Sequence, residues 1–88
     1  MEQEDYLETI FKLKEETGHV RISDVAEVLG LSKPSVTQMM QRLEKDGLIE
    51  YKPYHPVKLT PEGRKIGKGV AERHEAIQEF LTILEIPE

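Results

Sequence analysis

Residues 22–49, ISDVAEVLGLSKPSVTQMMQRLEKDGLI, constrain the fold most, because they read as two short helices joined by a tight turn and followed by a strand. Ser23 and Asp24 are capping candidates for the first helix, which carries Val25, Ala26 and Leu29 on one face. Gly30 ends it, since a tight turn after a helix needs a positive φ, and Leu31 can fold back as the apolar anchor of that turn. Ser32 is placed to cap the next helix, with Pro34 tolerated in its first turn. Val36, Met39, Met40 and Leu43 then recur at i, i+3, i+4 and i+7, which predicts one buried stripe and turns Ser35, Thr37, Gln38, Gln41 and Arg42 outward. A helix-turn-helix with a polar recognition surface is the expectation; helical bundles that touch no nucleic acid can carry the same pattern.

The next segment narrows the choice. Leu48-Ile49-Glu50-Tyr51 has strand character, Pro53 to Pro56 a loop, and Val57-Lys58-Leu59 a return strand, which together make a small hairpin. Thr60-Pro61-Glu62 starts a further helix, with Thr60 as cap and Pro61 where a missing N–H costs least, running to about Leu84. Ahead of all this, Tyr6, Leu7, Ile10, Phe11 and Leu13 mark the buried face of a first helix. The expected fold is mainly α (α+β): a winged helix-turn-helix with a three-helix core, a two-stranded wing and a long C-terminal helix. Residues 1–72 would form the DNA-binding domain, and residues 73–88 the start of a further region.

The net charge of −5 runs against a simple DNA-binding reading, but its distribution does not. Residues 1–20 hold six acids against two bases, residues 21–73 seven acids against ten bases, and residues 74–88 four acids and no base. Lys33, Arg42, Lys45, Lys52, Lys58, Arg64 and Lys65 all fall on or beside the recognition helix and wing, where a winged helix meets phosphates. The absence of cysteine excludes disulfides and thiolate metal sites, and no apolar run is long enough for a signal-peptide core or a membrane span; a cytoplasmic protein with no membrane partner is expected. No Gly-rich phosphate loop and no nucleophile–base spacing stands out, so an enzyme is not expected.

The acidic first helix holds a second signal. Asp5 and Glu8 stand three residues apart and share a face, where acids near a helix N-terminus are also favoured by the macrodipole. His74 continues the series Ile66, Val70, His74, Ile77, Leu81, Leu84, an imidazole in an apolar stripe. Each has an ordinary structural reading; taken together, carboxylate and imidazole suit manganese or ferrous iron better than softer-ligand metals. Further along, Ala76, Ile77, Phe80, Leu81, Ile83 and Leu84 make more than half of the last helix apolar, wider than one small core needs, which predicts a partner surface.

From EDYLETIFKL through SDVAEVLGLSKPSVTQMMQRLEKDGLIEY and LTPEGRKIG to RHEAIQEFL, the chain resembles the N-terminal part of the metal-dependent repressors of the diphtheria toxin repressor family. The resemblance implies a homodimer on double-stranded palindromic operator DNA. It implies that Ser32, Pro34 and Gln38 meet bases in the major groove, where Gln38 can pair two-pronged with adenine and Pro34 can rest on a thymine methyl; the outward or basic Lys33, Ser35, Thr37, Arg42, Lys52, Lys58 and Arg64 complete the expected DNA contacts. It also implies that Asp5, Glu8 and His74 are metal ligands, and since the iron-responsive branch has Met in the place of Asp5, that manganese is favoured over ferrous iron. In that family two further carboxylates and a histidine come from a helix beyond the last residue here, so the implied site is incomplete and the chain a truncated or naturally short form. The alternative is a metal-independent winged-helix module that reads DNA or a protein partner unaided.

Overall fold

The computed structural model describes residues 2–85, with side chains described as far as Ile77. The elements follow in the order α1 (Gln3–Thr17), α2 (Ile22–Leu29), α3 (Lys33–Lys45), β1 (Ile49–Glu50), β2 (Lys58–Leu59) and α4 (Pro61–Glu85). β1 and β2 pair antiparallel, Ile49 opposite Leu59 and Glu50 opposite Lys58, and form the wing. The expected winged helix-turn-helix is the observed fold.

The turn between α2 and α3 is built as its residues dictate. Gly30 has φ 68° in the left-handed region, and the N–H of Leu31 donates to the Ala26 carbonyl at 3.0 Å, closing the helix end. Ser32 Oγ accepts from the Ser35 N–H at 3.3 Å and caps α3, with Pro34 in the first turn. The start of α2 differs from expectation. Neither Ser23 nor Asp24 is the cap residue: the helix begins at Ile22 after Arg21, and Asp24 reaches back from the third helical position to accept the Arg21 N–H at 3.0 Å. A carboxylate at that position does the same electrostatic work from inside the helix.

Tyr6, Leu7 and Ile10 of α1, Val25 and Ala26 of α2, Val36, Met40 and Leu43 of α3, and Leu48, Ile49 and Val57 of the wing form one buried cluster, with Val20 between α1 and α2. Phe11, Leu13 and Met39 are only half-buried, at the edges of their stripes. The strands are shorter than the apolar pattern predicts. Tyr54 at the tip lies at φ 67°, where the chain turns over, and the segment between Pro53 and Pro56 leaves little ladder to pair. The wing is instead tied down at its base: the Val57 N–H donates to the Val20 carbonyl at 2.7 Å and the Thr60 N–H to the Leu48 carbonyl at 3.1 Å.

Thr60 also caps α4, accepting the Gly63 N–H at 3.1 Å while donating to the Gly47 carbonyl at 2.8 Å. Two glycines let α4 approach closely. A Cβ on Gly63 would collide with the Leu48 carbonyl, and one on Gly67 would lie 2.6 Å from the Leu7 carbonyl oxygen and 3.2 Å from Phe11 Cβ. α4 therefore lies almost backbone-to-backbone on α1. Beyond Ala71, the last buried position on α4 among the described side chains, the helix leaves the core: residues 72–77 are exposed, including Ile77 at 56%. The apolar stripe expected through His74 and Ile77 is thus not core: α1 reaches it only at its polar edge, where Glu8 meets His74, and leaves Ile77 open. Ala76 and Ile77 do show the uncovered apolar surface expected, whereas the side chains of Phe80, Leu81, Ile83 and Leu84 lie outside the described residues.

The three glycines of α4 give opposite expectations. Gly67→Ala must push α4 off α1 and should destabilise the fold by about 1–3 kcal/mol, with Gly63→Ala at least as damaging. Gly69→Ala meets nothing within 4 Å and should stabilise by about 0.5–1 kcal/mol through helix propensity. Urea unfolding of the three variants checks the order; equal effects would remove the close-approach explanation.

Candidate nucleic-acid interface and metal-ligand pair

Burial of Val36, Met40 and Leu43 fixes the rotation of α3 and so determines which residues it presents. Ser32, Lys33, Pro34, Ser35, Gln38, Gln41 and Arg42 are all exposed, forming one open face together with the half-buried Met39. Ser35, Gln38, Met39 and Arg42 line a shallow depression on it. Thr37, next round the helix from Val36, is half-covered rather than fully outward. At its far end α3 is held by Gln3, whose Nε2 donates to Asp46 Oδ2 at 2.8 Å.

On the wing, Lys52 and Lys58 are exposed and share a pocket with Glu50, His55 and Pro56. Arg64, at the start of α4, lines a different cavity, of about 470 Å³, with Val57, Lys58, Leu59 and, from α1, Ile10 and Phe11. It therefore flanks the base of the wing rather than the α3 face. Tyr54 at the wing tip is 98% exposed, and sequence reasoning passed over it; an aromatic residue between prolines at a hairpin tip was the available signal.

Two of the three expected metal ligands come together. His74 Nδ1 lies 2.7 Å from Glu8 Oε2 across the α1–α4 contact, the imidazole N–H donating to the carboxylate. Glu8 is 9% exposed and is the buried charged residue of the described chain, while the His74 side chain remains 49% exposed. Asp5 does not join them. Its Oδ2 accepts the Glu2 N–H at 3.3 Å, so the carboxylate serves the free N-terminus of its own helix. Among the described residues no three His, Asp or Glu side chains converge on one point. Lys12 Nζ approaches Glu8 Oε2 at 3.3 Å, a contact not foreseen although the i, i+4 spacing signals it. A second link between the helices, Arg73 to Glu4 at 3.6 Å, is exposed on both sides.

The pair fits a divalent ion as far as it goes. Two donors at right angles on an octahedral ion with bonds of roughly 2.1 Å lie about 3 Å apart, so the hydrogen-bonded Glu8 and His74 would have to release the Nδ1 proton and open by a few tenths of an ångström to hold one. The set is oxygen plus imidazole nitrogen without sulfur, which excludes a soft-metal preference.

A family model described as the iron dependent repressor, N-terminal DNA binding domain, matches residues 1–57. The chain is 47% identical over 85 residues to the HTH-type transcriptional regulator MntR of Bacillus pumilus, covering 97% of this chain and 59% of that protein. It is 46% identical over 85 residues to MntR of Bacillus subtilis, covering 97% and 60%. It thus spans about three fifths of the length of the curated relatives it matches. Among solved structures, ligand-free NadR is 38% identical with a TM-score of 0.57, over 85% of this chain and 60% of that one. The DNA complex of Staphylococcus aureus MepR has a TM-score of 0.69 at 20% identity, over 98% and 64%, a likeness of fold alone. No helix among the described residues is long and apolar enough to cross a membrane. With its winged helix-turn-helix and the family match over residues 1–57, the chain belongs to the iron-dependent repressor family.

Proposed function

We propose that this chain is the DNA-reading part of a metal-dependent transcriptional repressor that binds palindromic operator DNA as a homodimer in the cytoplasm and answers to manganese in preference to ferrous iron. The observation that carries the reading is the open polar face of α3, Ser32 to Arg42, which no described element covers and which is set at a fixed rotation by its buried stripe. Ser32, Pro34 and Gln38 meet base edges from that face, while Lys33, Ser35, Thr37 and Arg42 on α3 and Lys52, Lys58 and Arg64 around the wing meet phosphates. The exposed Ala76 and Ile77 on α4 lie where a second copy would pack, and a palindromic operator would require the two α3 helices of such a dimer to sit about 34 Å apart, one turn of DNA.

Glu8 and His74 would hold the ion, with Asp5 turning from its helix terminus to join them. A bound divalent ion supplies concentrated positive charge at a buried carboxylate. Glu8 contributes from the face of α1 that packs on α4, and His74 from the point where α4 leaves the core. Together they couple the orientation of the projecting half of α4, and hence the spacing of the two recognition helices, to the rest of the domain. The aspartate at position 5 supports manganese over ferrous iron, because a hard carboxylate oxygen suits manganese while the softer thioether found there in iron-responsive relatives does not.

Base reading and phosphate contact separate experimentally. On a palindromic duplex selected from a random pool, Gln38→Ala should cost about 1–3 kcal/mol and relax preference at one position in each half-site, measured by fluorescence anisotropy. An equal loss on random DNA would move Gln38 to a backbone or folding role. Neutralising Lys52, Lys58 or Arg64 should weaken selected and random duplexes alike, and flatten the slope of log K against log salt by about one for each lost phosphate contact. Arg64, at the base of the wing, is the most discriminating of the three; an unchanged slope would take it off the DNA.

A further inference from the structure

We propose that Lys12 is a tethered counter-ion that occupies Glu8 in the metal-free protein and sets the metal level needed to displace it. This rests on Glu8 and His74 being metal ligands. A carboxylate as buried as that of Glu8 is tolerated only with partners, and here both partners share one oxygen: Oε2 is 2.7 Å from His74 Nδ1 and 3.3 Å from Lys12 Nζ. An imidazole carries charge only when protonated, whereas the lysine ammonium brings a full formal charge. Lys12 is one helical turn beyond Glu8 with the acid on the N-terminal side, the favourable order for an i, i+4 pair. The other charged link between the helices, Arg73 to Glu4, is exposed on both sides and leaves Glu8 untouched.

The site therefore exchanges one cation for another. A divalent ion on Glu8 and His74 and an ammonium on the same oxygen repel each other, so the lysine must leave before the ion is held. It can do so, because its side chain is 49% exposed and has solvent to move into. The cost of that displacement lowers metal affinity without altering a ligand. The same lysine leaves the buried Glu8 carboxylate with a counter-charge when metal is scarce. Lys12 is on this account a tuning residue and not a ligand.

Calorimetric titration of manganese chloride into the 88-residue chain, its Lys12→Met variant and its Lys12→Arg variant tests this, alongside the melting midpoint of each without metal. Lys12→Met should bind manganese roughly tenfold more tightly, the size expected for removing one partly screened like charge a few ångströms away, and should melt lower when metal-free. Lys12→Arg should stay close to the parent in both readouts. If the parent binds manganese and Lys12→Met binds it no more tightly, Lys12 is not a competitor and the ligand assignment survives without it. If neither the parent nor Lys12→Met binds manganese, Glu8 and His74 do not hold the ion in this chain, and this inference falls with that reading.

Discussion

The close crossing of α1 and α4 at Gly67 is the contact on which the rest of this molecule depends. With only a hydrogen on Gly67 facing the Leu7 carbonyl, the two helix backbones come near enough that Glu8, one residue on, is covered by α4. A carboxylate placed there cannot remain unpartnered, and the chain answers with His74 from one helix and Lys12 from the other. Helix packing thus sets the electrostatic demand that these two partners meet. The same crossing fixes where α4 leaves the core, after Ala71, and therefore where the exposed Ala76 and Ile77 are carried.

The recognition surface rests on a separate but linked part of the core. α3 is held by Val36, Met40 and Leu43 against α2 and the wing, and by the bond from Gln3 of α1 to Asp46 at its far end. α1 therefore touches both the helix that presents polar residues to solvent and the helix that projects outward. Any change in how α1 sits on α4 has a short physical route to α3. The wing is braced independently through Val20 and Thr60, so its lysines keep their place relative to the core.

The fold was legible wherever the local chemistry was unambiguous. Gly30, Ser32 and Pro34 specify a turn that few other structures satisfy, and Thr60-Pro61 does the same for the start of α4. Legibility failed where several residues could do one job. Asp24 serves the start of α2 from inside the helix, which a search for a cap before the first apolar residue does not anticipate. The wing strands are short because a proline-flanked tip at Tyr54 limits pairing, although the apolar alternation extends further. Periodicity placed His74 in a stripe but could not tell that the stripe runs off the edge of the domain. For the site, Asp5 and Glu8 on one face of α1 and an imidazole at position 74 were all visible, yet that Glu8 alone meets His74 while Asp5 serves its own helix end is a long-range fact that no local pattern carries. The place of Lys12 beside them needed the structure.

If Glu8 and His74 brace α1 against α4 and a divalent ion strengthens that brace, the ion must stabilise the fold. The most direct test is thermal unfolding of the chain with and without manganese, in the parent and in His74→Ala. Anything that binds only the folded state raises the midpoint, so manganese should raise it by a few degrees in the parent and leave His74→Ala unmoved. An unmoved midpoint in the parent, or an equal rise in both, would contradict the account and leave the Glu8–His74 contact as a hydrogen bond with no part in metal binding.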